Sequence, residues 1–141
     1  MTGQPDWGQL NARFIEAFRA NGGRVGGLFE GNSVLLLHTV GARTGAAYTV
    51  PLTYLWDAGR FVVFASNVGA ERNPGWYYNV LVNPDVTLEV GVETFPARAS
   101  LVKGAERDLL WARQIARVPR FGAYEGKTTR VIPAVALTRQ A

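Results

Sequence analysis

Two rhythms of apolar residues divide this chain. Trp7, Leu10, Phe14, Ala17 and Phe18 recur at helical spacing, so residues 6–20 are predicted as an amphipathic helix that Gly22-Gly23 ends. Glycines from Gly26 to Gly31 mark a loose connection, and from there the pattern turns to short apolar runs with turn residues between them. Val34–Val40, Tyr48–Trp56 and Phe61–Ala65 read as strands, the last two joined by the turn-forming Asp57-Ala58-Gly59-Arg60 as a meander. Asn73–Val82 reads as a short helix with Asn73 as cap and Pro74 in the first turn, closed by Asn83-Pro84. Thr87–Val90 and Thr94–Val102 make two more strands around Gly91, residues 105–117 a second amphipathic helix, and Arg130–Leu137 a closing strand interrupted by Pro133. Six short strands with helices at the margins predict a mainly β chain with flanking helices, built as a small antiparallel barrel.

At 141 residues the chain is read as one domain over 1–141, with a helix and connection over 1–25 and a core over 30–138. No repeat or low-complexity tract interrupts it. No apolar run approaches the roughly 18 residues of a membrane span, and no basic region precedes an apolar core at the start. A cytoplasmic location is therefore the expectation. The first helix suits either covering the core or lying on a membrane surface; core cover is the favoured reading, and a peripheral contact at the inner face of the membrane stays open.

Composition narrows the chemistry. Zero cysteines exclude disulfides, thiol catalysis and cysteine-ligated metals, and His38 is the one histidine, so a histidine triad or histidine-rich zinc site is not expected. His38 lies in an apolar run and reads as a satisfied core residue. Nothing resembles an acid pair or a nucleophile with its base, so an enzyme built on this chain needs an organic cofactor, and no metal is expected. Charge is uneven, with six Lys/Arg against eight Asp/Glu in residues 1–97 and nine against three in residues 98–141. Arg107, Arg113, Arg117 and Arg120 are spaced as a solvated helix face would space them, although a basic segment also suits a polyanionic ligand. Nucleic acid is not an expected partner, because the aromatic and basic residues do not interleave as a stacking platform requires.

Two polar loops carry the candidate site. Gly41-Ala42-Arg43-Thr44-Gly45 offers a cation, a hydroxyl and backbone N–H donors, a composition suited to an anionic group, although a plain turn between strands explains it equally well. It is not a P-loop, for the Lys and following helix of that motif are missing. Ser66-Asn67-Val68-Gly69-Ala70 lies about 20 residues on, a spacing that lets a strand-turn-strand path return it to the same end of a barrel. Trp76, Tyr77 and Tyr78 follow in the next helix, where at least one can wall a flat ring.

Taken in order, Val34-Leu35-Leu36-Leu37-His38-Thr39-Val40-Gly41-Ala42-Arg43-Thr44-Gly45, Pro51-Leu52-Thr53-Tyr54, Ala65 to Ala70, Asn73 to Asn79, Asn83-Pro84 and Arg130-Val131-Ile132-Pro133 closely resemble the deazaflavin (coenzyme F-420)-dependent nitroreductase and quinone reductase family. The resemblance covers roughly residues 30–138. It implies a split β-barrel of the FMN-binding, flavin reductase-like type. It also implies coenzyme F-420 as cofactor and an oxidoreductase passing hydride to a quinone or another conjugated or nitroaromatic acceptor. By position it assigns Arg43, Thr44 and Gly45 to the cofactor phosphate, and Ser66, Asn67, Val68, Gly69 and Ala70 to the deazaflavin ring. Trp76 and Asn79 match the helix beside the ring, and Tyr124 matches a tyrosine of the substrate pocket. Tyr124, or a water on Ser66, is the expected proton source.

This chain departs from the pattern at Ala42, where a second basic residue is often found, at Tyr48, where arginine is common, and at Asn67-Val68, where Lys-Gly is common. Phe121 stands in place of a second pocket tyrosine. These departures imply weaker cofactor binding and put nitroaromatic reduction in question. The competing readings are an FMN-dependent reductase of the same fold and a non-catalytic binder of a cofactor, a fatty acid or a haem-like ligand. A homodimer is left open.

Overall fold

The computed structural model describes residues 7–24 and 33–141. Helix α1 (Trp7–Ala20) precedes strands β1 (Val34–Val40), β2 (Ala47–Thr53), β3 (Leu55–Asp57) and β4 (Arg60–Phe64). A short 3-10 turn (Asn67–Gly69) leads to α2 (Gly75–Val82), and β5 (Asp85–Val90) and β6 (Glu93–Val102) follow. Helices α3 (Gly104–Arg117) and α4 (Arg120–Glu125) then precede β7 (Ala134–Arg139). The connection expected over Gly26–Gly31 lies outside the described residues.

All seven strands form one antiparallel sheet in the order β2-β1-β5-β6-β7-β4-β3. Strands β2 and β3 lie at opposite ends of that order, yet only Tyr54 separates them in the chain. The sheet must therefore curl until its two edges meet at Tyr54, whose N–H donates to Ser33 O at 2.9 Å. The result is a curled half-barrel with flanking helices, as the split-barrel expectation requires.

The predicted strand Tyr48–Trp56 is thus two strands serving opposite edges. The predicted meander is in fact two hairpins, β1–β2 and β3–β4, separated by the rest of the sheet. Pro51 fits β2 because that strand is paired on one side only, with Leu36 opposite.

The continuous apolar runs now have a cause. Alternate residues of a strand point to opposite faces, and here both faces are covered. Leu35, Leu37, Phe61, Val63, Val135 and Leu137 fill the barrel interior with Leu88, Phe95 and Trp76. Their neighbours Val62, Phe64, Ala134 and Ala136 pack outward against Leu110, Trp111 and Phe121 of α3 and α4. Val34 and Leu36 are covered by Phe18 of α1, which is 1% exposed. Burying each such large side chain is worth about 2 kcal/mol. Core cover is therefore the role this helix plays here, and Arg19 secures it by a two-pronged ion pair with Glu89 on β5, at 2.7 and 3.1 Å.

Two elements differ from expectation, each for its own reason. Strand β7 begins at Ala134, not Arg130, because residues 130–133 form a connector tied to the second polar loop; Ala65 N–H donates to Pro133 O at 2.9 Å. Helix α4 carried no sequence signal, since six residues after Pro119 are too few for a helical period to register.

Candidate active site

A cleft of about 1100 Å³ opens between the edge strand β2, α1, the two polar loops, the start of α2 and α4. Six consecutive residues of β2, Tyr48 to Thr53, line it, so the cleft runs along that strand's free edge. Asn11 and Phe14 of α1 form part of one wall. The two loops lie in the same cleft, as their spacing predicted.

The first loop is a tight turn built on glycine. Gly41 N–H donates to Ala46 O at 2.7 Å and Gly45 N–H to Gly41 O at 3.0 Å, with Gly45 at φ 72°, a left-handed angle that favours glycine. Thr44 Oγ1 accepts from Ala46 N–H at 3.2 Å. Ala42 N–H is taken by Asn79 Oδ1 at 3.0 Å, and Asn79 Nδ2 donates to Thr39 Oγ1 at 3.0 Å. Asn79 thus lines the cleft but works by clamping the loop onto α2. The Arg43 guanidinium and the N–H groups of Arg43 and Thr44 are left without partners among the described residues, ready for an anion.

The second loop is pinned from behind. Arg130 Nε donates to Ala70 O at 3.0 Å, Nη2 to Ser66 O at 2.8 Å, and Nη1 to Ala65 O at 3.1 Å and Asn73 Oδ1 at 2.7 Å. Burial of this guanidinium pushes it below its ordinary pKa, but a guanidinium stays charged at any physiological pH. With its carbonyls held, the loop adopts left-handed angles at Asn67, Val68 and Gly69 (φ 48°, 49° and 85°). The Asn67 and Val68 N–H groups stay free of partners among the described residues. Val68 is the strained member, since a β-branched residue disfavours this region. Gly69 is required for a second reason, as a Cβ there would meet Tyr124 O at 2.8 Å.

Asn73 therefore does not cap α2. Pro74 occupies the cap position and the Asn73 side chain accepts from Arg130 instead, a charge-assisted bond that outcompetes a neutral cap. Trp76 lines the cleft but is 7% exposed and packed into the barrel core, so Tyr78, half-exposed at the same opening, is the more accessible ring.

Of the expected site residues, Arg43, Thr44, Ser66, Asn67, Val68, Trp76, Asn79 and Tyr124 line the cleft. Gly45, Gly69 and Ala70 do not; they shape the two loops. The Ser66 hydroxyl makes no hydrogen bond among the described residues, and Tyr124 Oη accepts from Arg120 Nε at 3.1 Å.

The charge of the cleft is its clearest chemical statement. Arg43, Arg72 and Arg120 all line it, and among the described residues no Asp or Glu lines it and none of the three arginines has a carboxylate partner. The basic excess after residue 97 is largely spent elsewhere. Arg107, expected on a solvated face, is buried with Nε and Nη2 on Ile132 O at 3.0 and 2.8 Å, and Arg113 pairs with Asp57 at 2.7 Å. Arg120 is the member of that series that reaches the cleft. Sequence reasoning missed Arg72 and the clamping role of Arg130, although Arg130 belongs to one of the motifs that carried the resemblance.

His38 is satisfied on both nitrogens and does not line the cleft. Nε2 lies 2.5 Å from Glu89 Oε2 and Nδ1 lies 2.9 Å from Thr49 Oγ1. A carboxylate only accepts, so Nε2 carries a proton.

The family model for F420H(2)-dependent quinone reductase matches residues 11–139, a span that holds both loops, all seven strands and Tyr124. The chain belongs to this family. An F420H(2)-dependent quinone reductase of Mycobacterium tuberculosis (strain ATCC 25618 / H37Rv) is 39% identical over 127 residues, covering 87% of this chain and 85% of the relative. A solved F420-H2 dependent reductase superposes with a TM-score of 0.68 at 32% identity, over 74% of this chain and 93% of its own. A further solved structure, described as a domain-swapped dimer, gives a TM-score of 0.69 at 29% identity, over 94% of this chain and 97% of its own.

Within an F420H(2)-dependent quinone reductase, a cofactor bearing phosphate and carboxylate groups needs cations and free N–H donors and no competing carboxylates. The described lining of this cleft meets each requirement, so its residues fit coenzyme F-420. Among the described residues no group of three or more His, Cys, Asp or Glu is placed to hold a metal ion.

Proposed function

We propose that this chain is an oxidoreductase that uses the cleft along β2 to carry hydride from reduced coenzyme F-420 to a quinone. The observation that supports this most is a cleft with no Asp or Glu in its described lining, where Arg43 and Arg72 have no carboxylate partner among the described residues, in a chain of the quinone reductase family. The cofactor supplies the hydride; the protein supplies binding, orientation and the proton.

Arg43, Thr44 and the free N–H groups of the first loop hold the phosphate, and Arg72 adds charge at the same opening. The N–H groups of Asn67 and Val68 meet the ring, held in place by Arg130, while Trp76 and Tyr78 limit the access of water. A quinone that gains hydride needs one proton to become a hydroquinone. Tyr124, or water held by the Ser66 hydroxyl, delivers it and is reprotonated from solvent.

Phe121 is 7% exposed and packs on Trp111, so the ring that replaces a pocket hydroxyl is part of the core beneath the cleft. Quinones, which need one proton source, suit this arrangement better than nitroaromatics. Among the described residues no helix is long and apolar enough to cross a membrane. A cytoplasmic enzyme and a homodimer are the placement and assembly we propose, the latter supported by the domain-swapped relative.

Anaerobic mixing of the protein with reduced F-420 and menadione tests the reading. Recovery of the oxidised cofactor's absorbance supports it, and no change at high enzyme concentration overturns it.

A further inference from the structure

Arg120 and Tyr124 stand four residues apart on one face of α4, and both line the cleft. Arg120 Nε donates to Tyr124 Oη at 3.1 Å. An arginine nitrogen is a donor only, so the phenol oxygen is the acceptor in this bond and its own hydrogen must point elsewhere.

Among the described residues no acceptor takes the Tyr124 hydrogen, so it is free to turn toward the cleft that the side chain lines. Its ring sits edge-on to Phe121, with centroids 5.2 Å apart. Its carbonyl backs onto Gly69, where no side chain fits. Glu125, the adjacent acid, is engaged by Trp111 Nε1 at 2.7 Å and is not placed to receive the phenol proton. Arg120 is itself steadied, with its guanidinium 5.5 Å from the centre of the Phe121 ring.

We infer that Arg120 is a positioning residue, which fixes the Tyr124 hydroxyl as a hydrogen-bond donor aimed into the cleft, toward the carbonyl oxygen of a bound quinone. The inference rests on the cleft being the acceptor site. In turnover, the quinone gains hydride at one position and the Tyr124 proton at a carbonyl oxygen; the phenolate left behind takes a proton from solvent. Arg120, which keeps its proton throughout, stabilises that phenolate meanwhile.

The test is a double-mutant cycle on binding, not turnover. Protein loaded with oxidised F-420, which cannot reduce a quinone, is titrated with menadione by calorimetry as wild type, Arg120→Met, Tyr124→Phe and the double variant. Arg120→Met keeps an apolar stem over Phe121; Arg120→Gln serves if that variant is unstable. The expected result is a loss of menadione affinity of about tenfold in each single variant, with the double variant no weaker than Tyr124→Phe alone. Affinity for oxidised F-420 should change less than threefold.

Independent, additive losses would overturn the inference. So would a fall in F-420 affinity on replacing Arg120 with no change for menadione, which would make Arg120 a cofactor ligand. A wild-type protein that shows the coupling but never oxidises reduced F-420 would sink the proposed function and leave the Arg120–Tyr124 coupling standing.

Discussion

Arg130 Nη2 donates to the carbonyl oxygen of Ser66 at 2.8 Å, and three further bonds from the same guanidinium fix Ala65, Ala70 and Asn73. One side chain from the connector before β7 thereby sets the shape of the loop assigned to the cofactor ring. Replacing it with lysine keeps the charge and loses the planar fork of donors. Arg130→Lys is expected to lower stability by about 2 kcal/mol, measured by urea unfolding, and to weaken oxidised F-420 at least tenfold. Unchanged affinity would show that the loop holds its shape without the clamp.

Asn79 joins α2 to the first loop through Thr39 and Ala42. Asn79→Ala leaves the Ala42 N–H unpaired and should cost about 1–2 kcal/mol in thermal or chemical unfolding. Asn79→Asp can still accept from Ala42, and the Thr39 hydroxyl can turn to donate, so it should retain most of that stability. It also puts a negative charge beside the loop proposed to hold the phosphate. F-420 binding should therefore fall further in the aspartate variant than in the alanine variant, an order that a purely structural role would reverse.

Val68 adopts φ 49°, a left-handed angle that glycine takes without strain. Val68→Gly removes the strain and is expected to raise unfolding stability by about 1 kcal/mol. A destabilised glycine variant would mean that the Val68 side chain, although exposed, makes up for the strain.

Glu89 receives Arg19 and His38, and these partners, Arg19 foremost, hold its carboxyl below the ordinary value of 4.5. A depressed folded-state pKa stabilises the protein above the unfolded carboxylate's pKa, and that contribution is lost as pH falls through the folded value. The docking of α1, and with it the cleft wall at Asn11 and Phe14, should therefore loosen below about pH 4. Melting temperature measured against pH should fall less steeply on the acid side for Glu89→Gln than for wild type.

The strands were legible because runs such as Leu35 to Leu37 and Phe61 to Phe64 are buried on both faces, and their position in the chain suffices to mark them. The break at Tyr54 was not legible, because it follows from the sheet curling to join its edges, a property of the whole barrel. The two loops announced themselves by composition, and their resemblance to a known pattern supplied the ligand. The carrier of the second loop's geometry did not announce itself, since Arg130, 64 positions away, reads as the first residue of the closing strand until the fold brings it behind Ser66. Asn73 shows the converse error, a local cap signal overridden by that same arginine.

Arg43 lines the cleft without a carboxylate partner among the described residues, and cofactor binding tests its role most directly. Oxidised F-420 and FMN are titrated separately against wild type and Arg43→Ala, with cofactor fluorescence as the readout. Saturable F-420 binding by wild type is expected, with a dissociation constant at least tenfold higher for Arg43→Ala and weaker binding of FMN. Equal F-420 affinity in the two proteins, or a preference for FMN, would contradict that role.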